Sequence, residues 1–317
     1  MASIIVDTAG ARIGGARRFM DELDAYLLES ARQDITLIGA ERSLTSSWMI
    51  ARERKAGRRL DRVVALNNVS FAIAGRERVV LLRNALHFPY PGERFNLPPK
   101  AALRRRAQAA VIRAVVHRAD VVVVPTSAMA SRVRHHLPQL DSRIRVRPHP
   151  VSARQSDARR VPGRVVCPVI FAPYKSMGTR LNLLAEAAAI AGADTELVVT
   201  ATAEELKSHR VSSQAWRAVG QLTTAEINDL LASASVIYYP TEIESFGYPL
   251  AEARVNRQPV LALDNEQNRE VAGSALVPFD PDVASLAQAL SASMHHVVPA
   301  ASAAGRDAYF DDLFALS

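Results

Sequence analysis

Short apolar runs alternating with helix-length segments constrain this chain more than any other feature it carries. In the first half the runs fall at 3–7, 35–39, 63–66, 79–82 and 121–124, mostly as unbroken Val, Ile and Leu. In the second half they fall at 164–171, 196–200, 236–239 and 260–263. A strand that is apolar at every position is covered on both faces, which points to a parallel sheet between helices. The intervening segments carry the matching period: Phe19, Leu23, Leu27 and Leu28 are expected on one face of a helix over 16–29. Helices are also expected over 180–190 and over 223–233, the latter opened by Thr223 with Glu226 as its capping-box partner. With 317 residues the chain suits two domains of roughly 150 residues each. The polar stretch 151–163, ending in Pro162 and Gly163, predicts the boundary between them. The expected division is 1–155, 156–300 and a closing segment, 301–317, that reads as a helix returning to the first domain. The fold class is α/β, with two Rossmann-like doubly wound domains facing a central cleft. Ligands are then expected at the carboxyl ends of the strands, with a hinge at the linker.

Composition narrows the function. Hydrophobic residues make up 49% of the chain, and no run of eighteen or more apolar residues offers a membrane span. With no basic leader ahead of the first strand, the expected location is cytoplasmic. A single cysteine, Cys167, excludes an intrachain disulfide and reads as a small core residue within a strand. The net charge of +7 gathers in two blocks, Arg52, Arg54, Lys55, Arg58, Arg59, Arg62 and Lys100, Arg104, Arg105, Arg106, Arg113, Arg118. Such blocks attract phosphates and anionic headgroups, so peripheral contact with an anionic membrane at its inner face is expected alongside a phosphorylated or lipid-linked acceptor. Nucleic acid is not an expected partner: aromatic residues are only 6% of the chain, and no binding motif interleaves with the arginines. Trp216 reads as a core anchor or as a ligand wall.

The segment 236–253, Val-Ile-Tyr-Tyr-Pro-Thr-Glu-Ile-Glu-Ser-Phe-Gly-Tyr-Pro-Leu-Ala-Glu-Ala, is the richest in chemistry. A strand ends near Pro240, a polar loop follows, and Gly247 permits a backbone turn closed to other residues. Pro249 suits the first turn of a helix, where a missing N–H costs nothing. The loop therefore presents backbone N–H groups and a positive helix end, a ready site for a diphosphate. Glu244 before the turn and Glu252 within the helix can each accept hydrogen bonds from vicinal hydroxyls.

This string resembles the signature of the large retaining glycosyltransferase family of GT-B fold, the group 1 or family 4 transferases with two glutamates seven residues apart. Segments 14–23, 119–127, 220–231 and 258–260 are similar to further parts of the same family, so the likeness covers nearly the whole chain. It implies that Glu244 holds donor-sugar hydroxyls, with Ser245, Phe246, Gly247 and Tyr248 around the same ring, and that Glu252 binds the ribose. It implies that Gly14 and Gly15 admit the diphosphate, that Lys175 neutralises the leaving group, and that His87 lies near the reacting carbon. The implied reaction moves a hexose-type sugar from a nucleoside-diphosphate sugar to a hydroxyl of a glycan, glycolipid or small molecule. It retains configuration, requires no metal or cofactor, and lets a donor phosphate oxygen take the acceptor proton.

Two departures stand out. The family's arginine ahead of the lysine is missing, because Val169, Ile170 and Phe171 occupy that region; Arg147, His149 and Arg180 are the possible substitutes. Arg257 replaces a glycine before the strand at 260–263. The missing arginine keeps open an alternative, a catalytically impaired sugar-nucleotide-binding protein or a partner subunit of a transferase. A nicotinamide-dependent oxidoreductase is the other rival, with Glu41 where a ribose-binding acid would stand. Its loop, Gly10-Ala-Arg-Ile-Gly14-Gly15, lacks the glycine spacing that a dinucleotide needs.

Overall fold

The computed structural model describes residues 4–11, 14–58, 60–153, 156–192, 194–300 and 305–315. Ser3, Arg12 and Ile13 of the first loop, Arg59, Gln155 at the expected domain border, and residues 301–304, 316 and 317 of the closing segment lie outside them.

The first sheet contains β1 (Ile4–Asp7), β2 (Ile35–Ile38), β3 (Arg62–Ala65), β4 (Glu77–Leu81), β5 (Val121–Val124) and β6 (Ile144–Val146), all parallel in the order β2-β1-β3-β4-β5-β6. The second contains β7 (Arg164–Cys167), β8 (Glu196–Val199), β9 (Arg217–Ala218), β10 (Val236–Tyr238), β11 (Val260–Leu263) and β12 (Leu276–Phe279), again parallel, in the order β12-β11-β10-β7-β8-β9. Register fixes which side chains stack: Val6 of β1 lies between Leu37 of β2 and Val64 of β3. Each order reverses direction once, between β1 and β3 and between β7 and β10, and the crevice of a doubly wound sheet opens beyond such a reversal.

Eleven helices are described: α1 (Gly15–Ser30), α2 (Ser46–Ala56), α3 (Pro99–Val116), α4 (Ser127–His136), α5 (Met177–Ala191), α6 (Ala203–Ser208), α7 (Thr224–Ala232), α8 (Tyr248–Val255), α9 (Glu266–Ala272), α10 (Val283–Ser293) and α11 (Arg306–Phe314). The expected cap of α7 is present, with Thr223 and Glu226 each accepting from the other's backbone N–H. Phe19, Leu23 and Tyr26 form the buried face of α1, but Leu28 is 84% exposed. Nine residues past Phe19 is about two and a half turns, which carries Leu28 to the opposite side. The strand expected over 164–171 stops at Cys167, since Pro168 has no N–H to give the ladder. Cys167 itself is fully buried, as a core residue should be, and burial pushes its thiol pKa up. Trp216 packs into the core of the second half.

Helix α11 closes on the first half of the molecule. Phe310 packs on Phe19 and Tyr26, with centroids 5.5 and 5.1 Å apart, and Phe314 packs on Phe310. Each such aromatic contributes roughly 1.5–3 kcal/mol by leaving water. Polar contacts set the helix's position: Tyr26 Oη donates to Asp311 Oδ1 at 2.6 Å, and Arg62 Nη1 donates to the Leu313 carbonyl at 2.9 Å.

The first basic block is less of a surface than its sequence suggests. Arg52 is 1% exposed; it meets Asp7 Oδ2 at 2.6 Å and donates to the carbonyls of Val69 and Ser70. Arg62 is also buried, paired with Glu77 as well as with α11. Arg54, Lys55 and Arg58 stay exposed. Among the described residues no helix is long and apolar enough to cross a membrane.

Candidate active site

The carboxyl ends of both sheets open onto one cleft of about 1710 Å³. Its walls include the loops after β1, β3 and β4 on one side and those after β7 and β10 on the other, so both reversal points open onto it. Asp7 anchors the loop after β1: its carboxylate takes Arg52, Trp48 Nε1, Asn67 Nδ2 and the N–H of Ala9.

Two helix starts meet across this cleft. Gly14 stands ahead of α1 at φ 60°, and Gly247 stands ahead of α8 at φ 81°. Neither start has a side-chain cap, whereas α2, α4, α6, α7, α9 and α10 are capped by Thr45, Thr126, Thr202, Thr223, Asn265 and Asp282. Their first-turn N–H groups are left to other acceptors, with positive helix ends behind them. A Cβ on Gly15 would stand 3.2 Å from the Tyr248 ring, a tight contact that the ring or α1 must yield to accommodate.

Lys175 ends the turn Pro173–Lys175 that follows β7, just before Ser176 adopts the left-handed conformation at φ 49° and α5 begins. Its Nζ meets Glu244 Oε1 at 2.6 Å, and Tyr239 Oη donates to the same oxygen at 2.8 Å. Burial pulls the Lys175 pKa down, but the charge of Glu244 and the neighbouring Tyr174 outweigh it and the net shift is upward. Burial, then Glu244, pushes the Tyr239 pKa well up, so this phenol stays a donor.

The rest of the motif faces inward. Ser245 Oγ donates to the Arg83 carbonyl at 2.6 Å, and its own carbonyl accepts from Thr126 Oγ1 at 3.0 Å, which ties the two halves together. Phe246 packs on His149 and Tyr248, and its carbonyl accepts from Gln267 Nε2 at 2.5 Å. Glu252, 4% exposed, is held by Arg18 of α1 through Nε at 2.8 Å and Nη2 at 2.7 Å. The carboxylate expected to meet a ribose thus meets a guanidinium across the cleft. Glu270 of α9 adds a further tie by accepting from the N–H of Ser127 at 2.8 Å, at the start of α4.

His87 lies on the opposite wall, in the turn Ala85–His87 after β4 and beside α3. Burial, aided by Arg105 and Arg113, lowers its pKa to about 4, so the imidazole is neutral near pH 7. Of the substitutes considered for the missing arginine, Arg147 pairs with Asp312 and Arg180 with Glu242, and neither lines the cleft. His149 does line it, but burial followed by Arg83 holds its pKa well below the usual value. Sequence reasoning did not find the roles of Arg18, Tyr239, Thr126, Gln267 and Glu270, because each acts through a partner that only the fold brings near. Among the described residues no group of three or more His, Cys, Asp or Glu side chains is placed to hold a metal ion.

Comparison with protein-family models gives no match, and comparison with curated proteins gives none either. Solved structures do match. AviGT4, a glycosyltransferase involved in avilamycin A biosynthesis, is 16% identical with a TM-score of 0.64, over 99% of this chain and 96% of that one. A putative UDP-N-acetylglucosamine 2-epimerase from Listeria monocytogenes is 12% identical with a TM-score of 0.58, over 98% and 94%. A variant of TarM from S. aureus, in complex with fondaparinux, α-GlcNAc-glycerol and UDP, is 12% identical with a TM-score of 0.58; 78% of this chain matches it. The chain spans about half (51%) of the length of that protein. At these identities the likeness establishes the two-domain GT-B fold, and that fold is shared by a transferase and an epimerase.

Proposed function

We propose that this chain is a retaining glycosyltransferase that moves a hexose-type sugar from a nucleoside-diphosphate sugar to an acceptor hydroxyl, with no metal required. The observation that carries the reading is the Lys175–Glu244 pair, which lines the same cleft as the uncapped starts of α1 and α8. A diphosphate satisfies Lys175 and the helix N–H groups, while sugar hydroxyls satisfy Glu244, so a donor can take over both halves of the pair. As the bond from the anomeric carbon to phosphate breaks, its electron pair leaves on the diphosphate, and Lys175 and the N–H dipoles stabilise that charge. The acceptor oxygen bonds to the same face of the anomeric carbon and gives its proton to a donor phosphate oxygen. The wall left for the acceptor carries Met49, Val69 and Val111 beside neutral His87, Arg104 and the amides Asn67 and Gln108, which offer hydrogen bonds to a polyhydroxylated molecule.

Melting the protein with UDP, GDP, ADP and dTDP, with and without magnesium, tests the donor site. One nucleotide at 100 times its dissociation constant adds about 2.7 kcal/mol of stability. Lys175→Ala and Glu244→Ala are expected to lower turnover of the matching sugar nucleotide about 10- to 100-fold, as loss of a charge-assisted contact does. Near-normal turnover in both would sink the assignment. A second reading, a sugar-nucleotide-binding protein of little activity, is favoured by the absence of an arginine where Val169, Ile170 and Phe171 stand. Nucleotide binding without turnover of any donor decides for it.

A further inference from the structure

Arg83 stands where β4 delivers the chain to the cleft, and its carbonyl is the group that Ser245 of the motif loop grips. Its guanidinium lies on the Phe19 ring, 4.7 Å from the centroid, and Nη2 donates to the Leu66 carbonyl at 2.6 Å. Nη1 is buried with no hydrogen-bond partner. Burial pulls the Arg83 pKa down, and the groups that offset this are the Tyr248 and Tyr309 phenols rather than a carboxylate. Two carboxylates that reach Tyr248, Glu22 and Glu252, are already engaged by Ser152 and Arg18.

The surroundings repeat the pattern. His149 Nδ1, Tyr248 Oη and Tyr309 Oη are likewise buried without partners. They belong to one cluster, with the His149 ring 5.0 Å from Phe19, 6.0 Å from Tyr248 and 6.3 Å from Tyr309. Guanidinium, phenol and neutral imidazole all donate hydrogen bonds. A buried cation without a counter-charge, ringed by spare donors, is an expensive arrangement for a fold to keep, and an incoming anion relieves it. Arg83, His149 and Tyr248 line the cleft together with Gly14 and Gly15.

We propose that Arg83 is an oxyanion-binding residue of the cleft, whose unpartnered Nη1 takes a phosphoryl oxygen of the donor's diphosphate on the wall opposite Lys175. As a donor contact it rests on the glycosyl-transfer reading, and it supplies a second cation where Val169, Ile170 and Phe171 offer none. Wild type, Arg83→Gln and Arg83→Lys are titrated by calorimetry with three probes: inorganic pyrophosphate, whichever of UDP, GDP, ADP and dTDP the wild type binds, and the corresponding nucleoside. Arg83→Gln is expected to weaken pyrophosphate and nucleotide at least tenfold and to leave the nucleoside unchanged, with Arg83→Lys in between. Equal pyrophosphate affinity in wild type and Arg83→Gln overturns the proposal and leaves the glycosyl-transfer reading standing, as does a wild type blind to pyrophosphate that still binds a nucleotide. A wild type that binds pyrophosphate through Arg83 but none of the four nucleotides sustains the oxyanion site and removes the donor reading. Should Arg83→Gln fail to fold, Arg83→Lys and Tyr248→Phe decide: a pyrophosphate affinity at least threefold weaker supports the site, and an unchanged one overturns it.

Discussion

At the scale of single residues, the cleft is built from pairs the protein makes with itself. Lys175 holds Glu244, and Arg18 holds Glu252, so both motif glutamates have a cation before any ligand arrives. The positions of Glu244, Gly247, Glu252 and Lys175 were legible in the sequence because a strand, a glycine turn and a helix start are local features. Their partners were not, since Arg18 lies 234 residues from Glu252 and only packing of α1 against α8 brings them together. Arg83 escaped notice too, because its significance is a buried Nη1 without a partner, which no spacing reveals. Arg257 shows a departure with a local price: it keeps the left-handed conformation, φ 55°, that a glycine would adopt freely. Arg257→Gly is expected to stabilise the fold by up to about 1 kcal/mol, read as a higher urea midpoint. A lower midpoint shows that the weak Arg257 contact to the Val298 carbonyl, at 3.4 Å, matters more than the backbone.

At the scale of elements, α1 and α8 determine the site because they begin at glycines and stand close. The apolar runs predicted the strands, and the caps predicted α7, through interactions within a few residues of one another. Strand ends and outward faces were less legible: the strand at 164–171 was expected to run past Pro168, and Leu28 to be buried. A contrast separates the elements that shape the cleft from those that merely stabilise it. Asp282→Ala, which removes the cap of α10, a helix away from the cleft, is expected to lower stability by about 1 kcal/mol and to leave nucleotide affinity unchanged. Gly15→Val pushes a branched side chain against Tyr248 and is expected to weaken nucleotide binding by more than its effect on stability explains. Equal effects of the two substitutions on binding contradict the pairing of α1 with α8 as the feature that matters.

At the scale of the whole molecule, two tethers and a set of bridges govern how the halves move. Ser152 is tied to Glu22 of α1 at 2.7 Å, and Ser156 to Asp229 of α7 at 2.7 Å. Each tether lies within one half, so a motion that opens the cleft can leave both in place. Thr126 with Ser245 and Glu270 with Ser127 are the contacts such motion must break. The sequence predicted the linker from its polar composition, but neither tether, because Glu22 and Asp229 lie far from it along the chain. Deleting α11 uncovers Phe19 and Tyr26 and removes the Leu313 carbonyl that accepts from Arg62, which keeps Glu77. Such a chain is expected to melt at a lower temperature and to bind a hydrophobic dye that the intact protein ignores; an unchanged melt contradicts the structural role given to the helix.

The return of α11 also imposes an order on biosynthesis. Tyr26 and its partner Asp311 are separated by 285 residues, and at 5–20 residues per second the ribosome needs roughly 15–60 s to cover that distance. Throughout that interval the aromatic face of α1 is without its cover. The first sheet can assemble early, but its surface becomes complete only when Phe310 and Phe314 emerge. The nascent chain thus carries a sticky face through most of its synthesis, and a chaperone that shields aromatic surface has its longest opportunity there.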